Sequence, residues 1–224
     1  MQIFNSIQAL FYREYKITFN NFQDIFTILI FFILGILIFV FSIGPNKEIF
    51  NYISVGIIWT LLLLSTNLSI DKFYKRDFKD GNIFLLYISG LSFEMIVLIK
   101  IITMWIFFQL PFLLIIPIGG IILDINMDKI AINLYIFLIG SPILTSLASI
   151  SGSMNLLNNK NFSISGIIIM IFSIPLIIFS VGIINATPDL VMPQLNILIG
   201  ILMLFLAITP WISAACIKLS IRNS

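Results

Sequence analysis

Long apolar blocks separated by short polar ones dominate this chain, and their lengths carry most of its structural information. At the start, Ile3, Phe4, Ile7, Leu10, Phe11 and Tyr15 recur at three- and four-residue spacings, the repeat of one helix face, while Arg13, Glu14 and Lys16 interrupt it. Residues 1–24 lack a continuous apolar centre and a small-residue cleavage site. They read as an amphipathic helix on the membrane surface, not as a removable signal peptide. An apolar run then spans about 25–43, near the ~20 residues that cross ~30 Å of hydrocarbon, and Gly44-Pro45-Asn46 ends it. Further runs at about 52–70, 95–123, 130–154, 164–184 and 196–217 predict an all-α integral membrane protein with six transmembrane helices in a single transmembrane domain, 1–224. The third run is too long for a straight crossing, and Pro111, Pro117 and Gly119-Gly120 predict a break within it. Residues 185–195, with two prolines and Asp189 among Leu190, Val191 and Met192, predict a re-entrant or interfacial turn.

The pattern fails conspicuously in one place. Asp71, Lys72, Lys75, Arg76, Asp77, Lys79 and Asp80 crowd together between the second and third runs, in a connection covering 71–94. Such a segment belongs in water or at the headgroups, where Phe73, Tyr74 and Phe78 can still enter an interface. Asp71 is placed to cap a short helix and Asp80-Gly81 to stop it. A connector that only sets topology needs cations alone; this one interleaves both signs, which suits docking in a complementary protein cleft. Six spans put both termini on one side. That side holds Arg13, Lys16, Lys72, Lys75, Arg76, Lys79, Lys160, Lys218 and Arg222, with Lys100 near the boundary, against Lys47 and Lys129 opposite, so it is expected to face the cytoplasm or matrix.

Composition narrows the chemistry. With 60% hydrophobic and 10% charged residues, the chain lies outside the soluble range, where about a quarter of residues are charged. No histidine is present and Cys216 is alone, so the usual metal and haem ligands and the disulfide frameworks are excluded, as are Ser-His-Asp and Cys-His catalytic arrangements. No G-x-x-x-x-G-K-[ST] motif occurs. The carboxylate pairs Asp77/Asp80 and Asp124/Asp128 sit in charged turns, and every Asp and Glu is expected in a loop or at a helix end. Lys100, one turn into the third span, is the sole ionisable candidate within a span and is expected to snorkel. In the fourth span, Gly140-Ser141-Pro142, Ser146, Ser149, Ser151, Gly152 and Ser153 allow close helix approach, equally within a subunit or between two. Trp59, Lys100, Ser141, Pro142, Ser146 and Ser149 are therefore candidate pathway or packing positions. No catalytic, metal or cofactor residue is assigned. The bias toward Ile, Phe, Asn and Lys fits an AT-rich genome, bacterial or organellar.

Asp80-Gly81, the pair Leu85-Leu86, Ser89 and then Lys100 opening the next span resemble the ABC-2 class of ABC transporter permeases, the type V exporter-like fold. More narrowly, the chain resembles the haem exporter protein B family, permease subunits of cytochrome c maturation. The resemblance covers essentially the whole chain: Arg13-Glu14, Trp59 followed by SIDKFYKRDFKDG, Pro111, Gly140-Ser141-Pro142, Pro175, and 207–220 with Pro210. Gly90 departs from the family, which more often has proline there, and Lys160 stands in a turn less basic than the family's. The resemblance implies a homodimer in a bacterial or mitochondrial inner membrane, driven by two copies of an ABC ATPase subunit that binds the ATP. It also implies a haem-handling membrane protein and a haem chaperone as partners, and haem as substrate. Beyond membrane lipid no other class of partner is implied, and no nucleic acid. It makes Asp71, Lys75, Arg76, Asp77, Phe78, Asp80 and Gly81 the ATPase-coupling contact. Two other readings share part of the pattern: a general ABC-2 permease for a lipid, drug or saccharide, and a non-transporting membrane scaffold.

Overall fold

In the computed structural model, six helical stretches are long and apolar enough to cross a membrane. The structure describes residues 2–44, 46–88, 90–157 and 162–222, without the side chains of 2–4 and 162–165; Pro45, Ser89 and Lys160 lie outside the described residues. Helix α1 is Gln2–Asn20, α2 Phe22–Ile43, α3 Lys47–Lys79, α4 Asn82–Ile88, α5 Phe93–Met104, α6 Phe112–Ile122, α7 Met127–Leu157, α8 Phe162–Asn185 and α9 Pro188–Arg222. Among the described residues there is no strand.

Helix α7 is the centre of the bundle and packs against α3, α8 and α9. Its small residues explain why. A Cβ on Gly140 would lie 2.6 Å from Cη2 of the fully buried Trp59, and one on Gly152 would lie 2.8 Å from the Ile70 carbonyl oxygen. Ser141, Ser146, Ser149, Ser151 and Ser153 are all buried. The face that the sequence left open between packing within and between subunits packs within this one, and backbones approach closely because nothing larger intervenes.

The third span breaks as expected, and the geometry of the break is specific. Residues Trp105–Gln109 form a π-helical turn between α5 and α6, and the Leu110 N–H donates to the Trp105 carbonyl at 3.0 Å, the i→i−5 pattern. Pro111 follows it, and a proline has no N–H to continue the ladder.

Two expectations are corrected. The helix of the second span does not stop near residue 70: α3 runs 33 residues, about 50 Å, so its last turns project beyond ~30 Å of hydrocarbon. Asp71 therefore lies inside a helix and caps nothing; the good helix formers among Lys72, Lys75, Arg76 and Lys79 continue it. The stop at Asp80-Gly81 does occur, with Gly81 at φ +70°. Residues 185–195 form no re-entrant turn, because α9 starts at Pro188, where the fixed proline φ and missing N–H suit a first helical turn.

Polar pairs identify the two ends of the bundle. Lys72 reaches Asp24 at 2.7 Å and Lys218 reaches Glu94 at 2.8 Å at the end that holds α1 and α4. Lys47 with Asp124, at 3.4 Å, and Lys129 with Asn185, at 3.0 Å, mark the other.

Candidate functional site

At the α1 end, three helices converge on a closed ring of charges. The inward face of α1 carries Leu10, Glu14 and Thr18, one turn apart, and lies against α5. The inward face of α3 beyond the apolar span carries Ile70, Phe73, Tyr74 and Asp77. Lys100, two turns into α5, sits between them and is 1% exposed. Its ammonium donates to Glu14 Oε2 at 3.0 Å and to Asp77 Oδ2, and lies 5.9 Å from the Tyr74 ring centroid. Arg13 closes the ring by donating to Asp77 Oδ1 at 2.6 Å and to Glu14 Oε1.

Two cations thus meet two carboxylates, and the buried cluster is neutral. Glu14 is 2% and Asp77 7% exposed. Burial alone would lower the Arg13 pKa, but Asp77 and Glu14 outweigh it and hold it above its ordinary value. Isolated, any of these charges would be costly inside protein; together they hold α1 to α3 and α5. Lys100 therefore does not snorkel, and Glu14 lies on a helix face, contrary to the expectation that every carboxylate sits in a loop or at a helix end, whereas Asp77 falls in the last turn of α3 but turned inward. The signal was present. An acid one turn from Leu10 on a buried face, and another one turn from Phe73, each need a cation, and Lys100 was the unplaced one.

The charged run 71–81 separates into faces. Asp77 points inward, and Phe78 is half-buried against the core. Asp71 is half-buried, accepting from Lys75 at 2.9 Å and from Asn155 of α7 at 3.4 Å. Arg76, Lys79 and Asp80 are exposed, Arg76 lying 3.9 Å from Asp80. Asp77 is thus no part of an exposed contact; an ion cluster consumes it.

Beyond Gly81, α4 turns Ile83 and Leu86 inward and Phe84, Leu85, Tyr87 and Ile88 outward, with Leu85 66% and Ile88 78% exposed. The Leu85-Leu86 pair is split, one side chain to each face. Gly90 ends this element at φ +83°. Proline, whose φ is locked near −65°, cannot adopt that conformation.

The remaining candidate positions lie in the core. Trp59 Nε1 donates to Asn133 Oδ1 at 3.0 Å and Trp105 Nε1 to Ser141 Oγ at 2.9 Å. The Tyr74 hydroxyl and Ser149 Oγ are 2.6 Å apart, and Ser149 and Ser213 3.2 Å. Pro142 is half-buried beside them, and Ser146 is fully buried. These contacts tie α3, the π-turn, α7 and α9 to one another, as packing residues do.

The model of the CcmB protein family matches residues 5–220. The chain belongs to that family. It is 28% identical over 214 residues to heme exporter protein B of Haemophilus influenzae, covering 94% of this chain and 96% of the relative. It is 25% identical over 219 residues to heme exporter protein B of Pseudomonas aeruginosa, covering 97% and 98%. Against the protein of that name from Escherichia coli K12 it is 32% identical over 105 residues, 47% of this chain and 48% of the relative. Membership spans α1 through α9, so the charge ring and the outward face of α4 both fall within the family's extent. The resemblance read from the serial order of motifs and this match agree.

Proposed function

We propose that this chain is the permease subunit of an ABC-type haem export system serving cytochrome c maturation, moved by an ATPase that sits on a partner. Family membership supports the system, and the outward apolar face of α4 supports the partner. Phe84, Leu85 and Ile88 stand exposed at the charged end of the bundle, a few residues beyond exposed Arg76, Lys79 and Asp80. An apolar patch rimmed by charges outside the hydrocarbon fits a protein cleft. Two ATPase copies would engage a homodimer of this chain, α4 and the tip at Asp80-Gly81 entering each cleft.

Force on that tip reaches the bundle by two routes: along the unbroken α3 into the span, and through Asp77 to Lys100 on α5 and Arg13 on α1. The excess of cations at this end favours the cytoplasm or matrix for it and for both termini, in an inner membrane. Haem, as substrate, would meet aromatic and apolar walls. On the opposite side a haem-handling membrane protein and a haem chaperone would receive it.

The test is affinity purification from native membranes with the nucleotide-binding partner identified in the eluate. L85E/I88E is expected to lose that partner while the subunit still elutes as a folded species. An ATPase retained in full by L85E/I88E, or no nucleotide-binding protein with the wild type, overturns the reading.

A further inference from the structure

A second charged feature lies on a different face of the same end. The side of α3 opposite the ring turns toward the α1–α2 corner and forms one wall of an open cleft of about 350 Å³, within the usual size range of small-ligand sites. Lys72, Lys75, Arg76 and Lys79 line it, at positions that share one helix face. Three carboxylates line it too: Asp24, Asp71 and Asp80. Asp24 is engaged by Lys72 at 2.7 Å and Asp71 by Lys75 at 2.9 Å. Asp80 is only 3.9 Å from Arg76, and among the described residues no ion pair is formed by Lys79. Lys79 is therefore the cation left without an ion pair among the described residues, and Arg76 is the one held most loosely, in a cleft of net charge +1.

Thr18 of α1 and Asn21 in the turn after it add polar side chains, and Ile17 of α1, Met104 at the end of α5 and Phe108 of the π-turn form an apolar wall. The cleft is thus amphiphilic. Its depth is set by its surroundings: it lies where the apolar stretches of α2 and α3 give way to Asp24 and Asp71, beside a row of exposed aromatic side chains, Tyr12, Tyr15, Phe19, Phe22 and Phe26. Tyrosines such as Tyr12 and Tyr15 are favoured at the headgroup level, where an amphipathic ring meets both phases.

We propose that this cleft is a binding site for the headgroup of an anionic phospholipid, its phosphate held by Arg76 and Lys79 and its glycerol end against Ile17, Met104 and Phe108. Guanidinium and ammonium donors suit a phosphate ester, and basic clefts between helices at this depth take lipid headgroups. A soluble anion would use the same two cations and leave the apolar wall bare, which is why a lipid is the occupant the cleft fits. The site shares Arg76, Lys79 and Asp80 with the charged rim of the ATPase contact but takes nothing from α4, and its test reads lipid binding with no ATPase present, so the failure of one reading is distinguishable from the failure of the other.

The experiment is native mass spectrometry and thermal unfolding of the purified protein titrated with dioleoyl phosphatidylglycerol, dioleoyl phosphatidylcholine or soluble glycerol 3-phosphate. Near a membrane surface each Lys or Arg contributes about fivefold to anionic-lipid affinity, so R76A/K79A is expected to bind phosphatidylglycerol about 30-fold more weakly and K79A about fivefold. K16A removes an exposed cation from α1 outside the cleft and should leave binding within about twofold. Both target side chains are exposed, and unchanged thermal unfolding without lipid checks that the variants are folded. Equal weakening by K16A, equal binding of phosphatidylcholine, or displacement of phosphatidylglycerol by equimolar glycerol 3-phosphate each overturns the proposal.

Discussion

Replacing Lys100 by methionine tests the charge ring most directly. Methionine keeps the length and volume of the stem but removes one of the two cations that each contact both Glu14 and Asp77. Two carboxylates then remain beside one guanidinium, and the buried cluster changes from neutral to −1. Removing one partner of a buried pair costs about 3–5 kcal/mol. Because Arg13 still touches both acids and is partly exposed, the lower end applies, about 3 kcal/mol. For a chain of this size that is a fall of about 6–12 °C in unfolding temperature. The assay is fluorescence-monitored thermal unfolding in one detergent, for K100M and for K100M/E14Q. The second variant restores neutrality, leaving Arg13 with Asp77, and is expected to recover at least half of the loss. A K100M midpoint within about 2 °C of wild type, or a double variant no more stable than the single one, would refute the electrostatic account of the ring.

Three further outcomes follow from the packing. G152A drives a Cβ to 2.8 Å from the Ile70 carbonyl, a backbone atom that cannot swing away, and should cost about 1–3 kcal/mol in thermal unfolding; G56A, with open space around it, should be neutral or stabilising by up to about 1 kcal/mol. W59F removes the donor to Asn133 and leaves a buried amide unpaired, for a loss of about 1–3 kcal/mol, and W59F/N133L should regain part of it. G90P forces a φ near −65° where +83° is needed, so cleavage by an added protease between α4 and α5 should become faster while the membrane-embedded fragments stay intact.

How far the sequence spoke depends on what each residue needed. Apolar run length placed the six crossings, because the thickness of hydrocarbon is a constant that any chain must match. Pro111 announced the break in the third of them, but the π-turn ahead of it was silent: nothing in Trp105–Gln109 distinguishes an i→i−5 ladder from i→i−4. The end of α3 was misjudged for an instructive reason. Charges were taken to end a span, which they do, and so to end a helix, which they need not, since Lys and Arg are good helix formers. Likewise 185–195 looked broken because prolines were counted without their position, and Pro188 opens a helix instead of interrupting one. Asp77 was assigned outward by its neighbours in sequence, when its register with Phe73 and Ile70 assigned it inward. Its partners come from elements far along the chain, and such pairings are not written locally.

That distance bears on how the protein is made. Glu14 waits for Lys100 across 86 positions, so α1 leaves the ribosome well before the cation that fixes it exists. At about 5–20 residues per second the interval is about 4–17 s. Through it, α1 is without the cation that comes from α5, and Arg13 is the neighbour that keeps Glu14 from standing alone. Insertion of the third span then fastens a helix made before the first, so α1 is secured only when half of the six spans are in place.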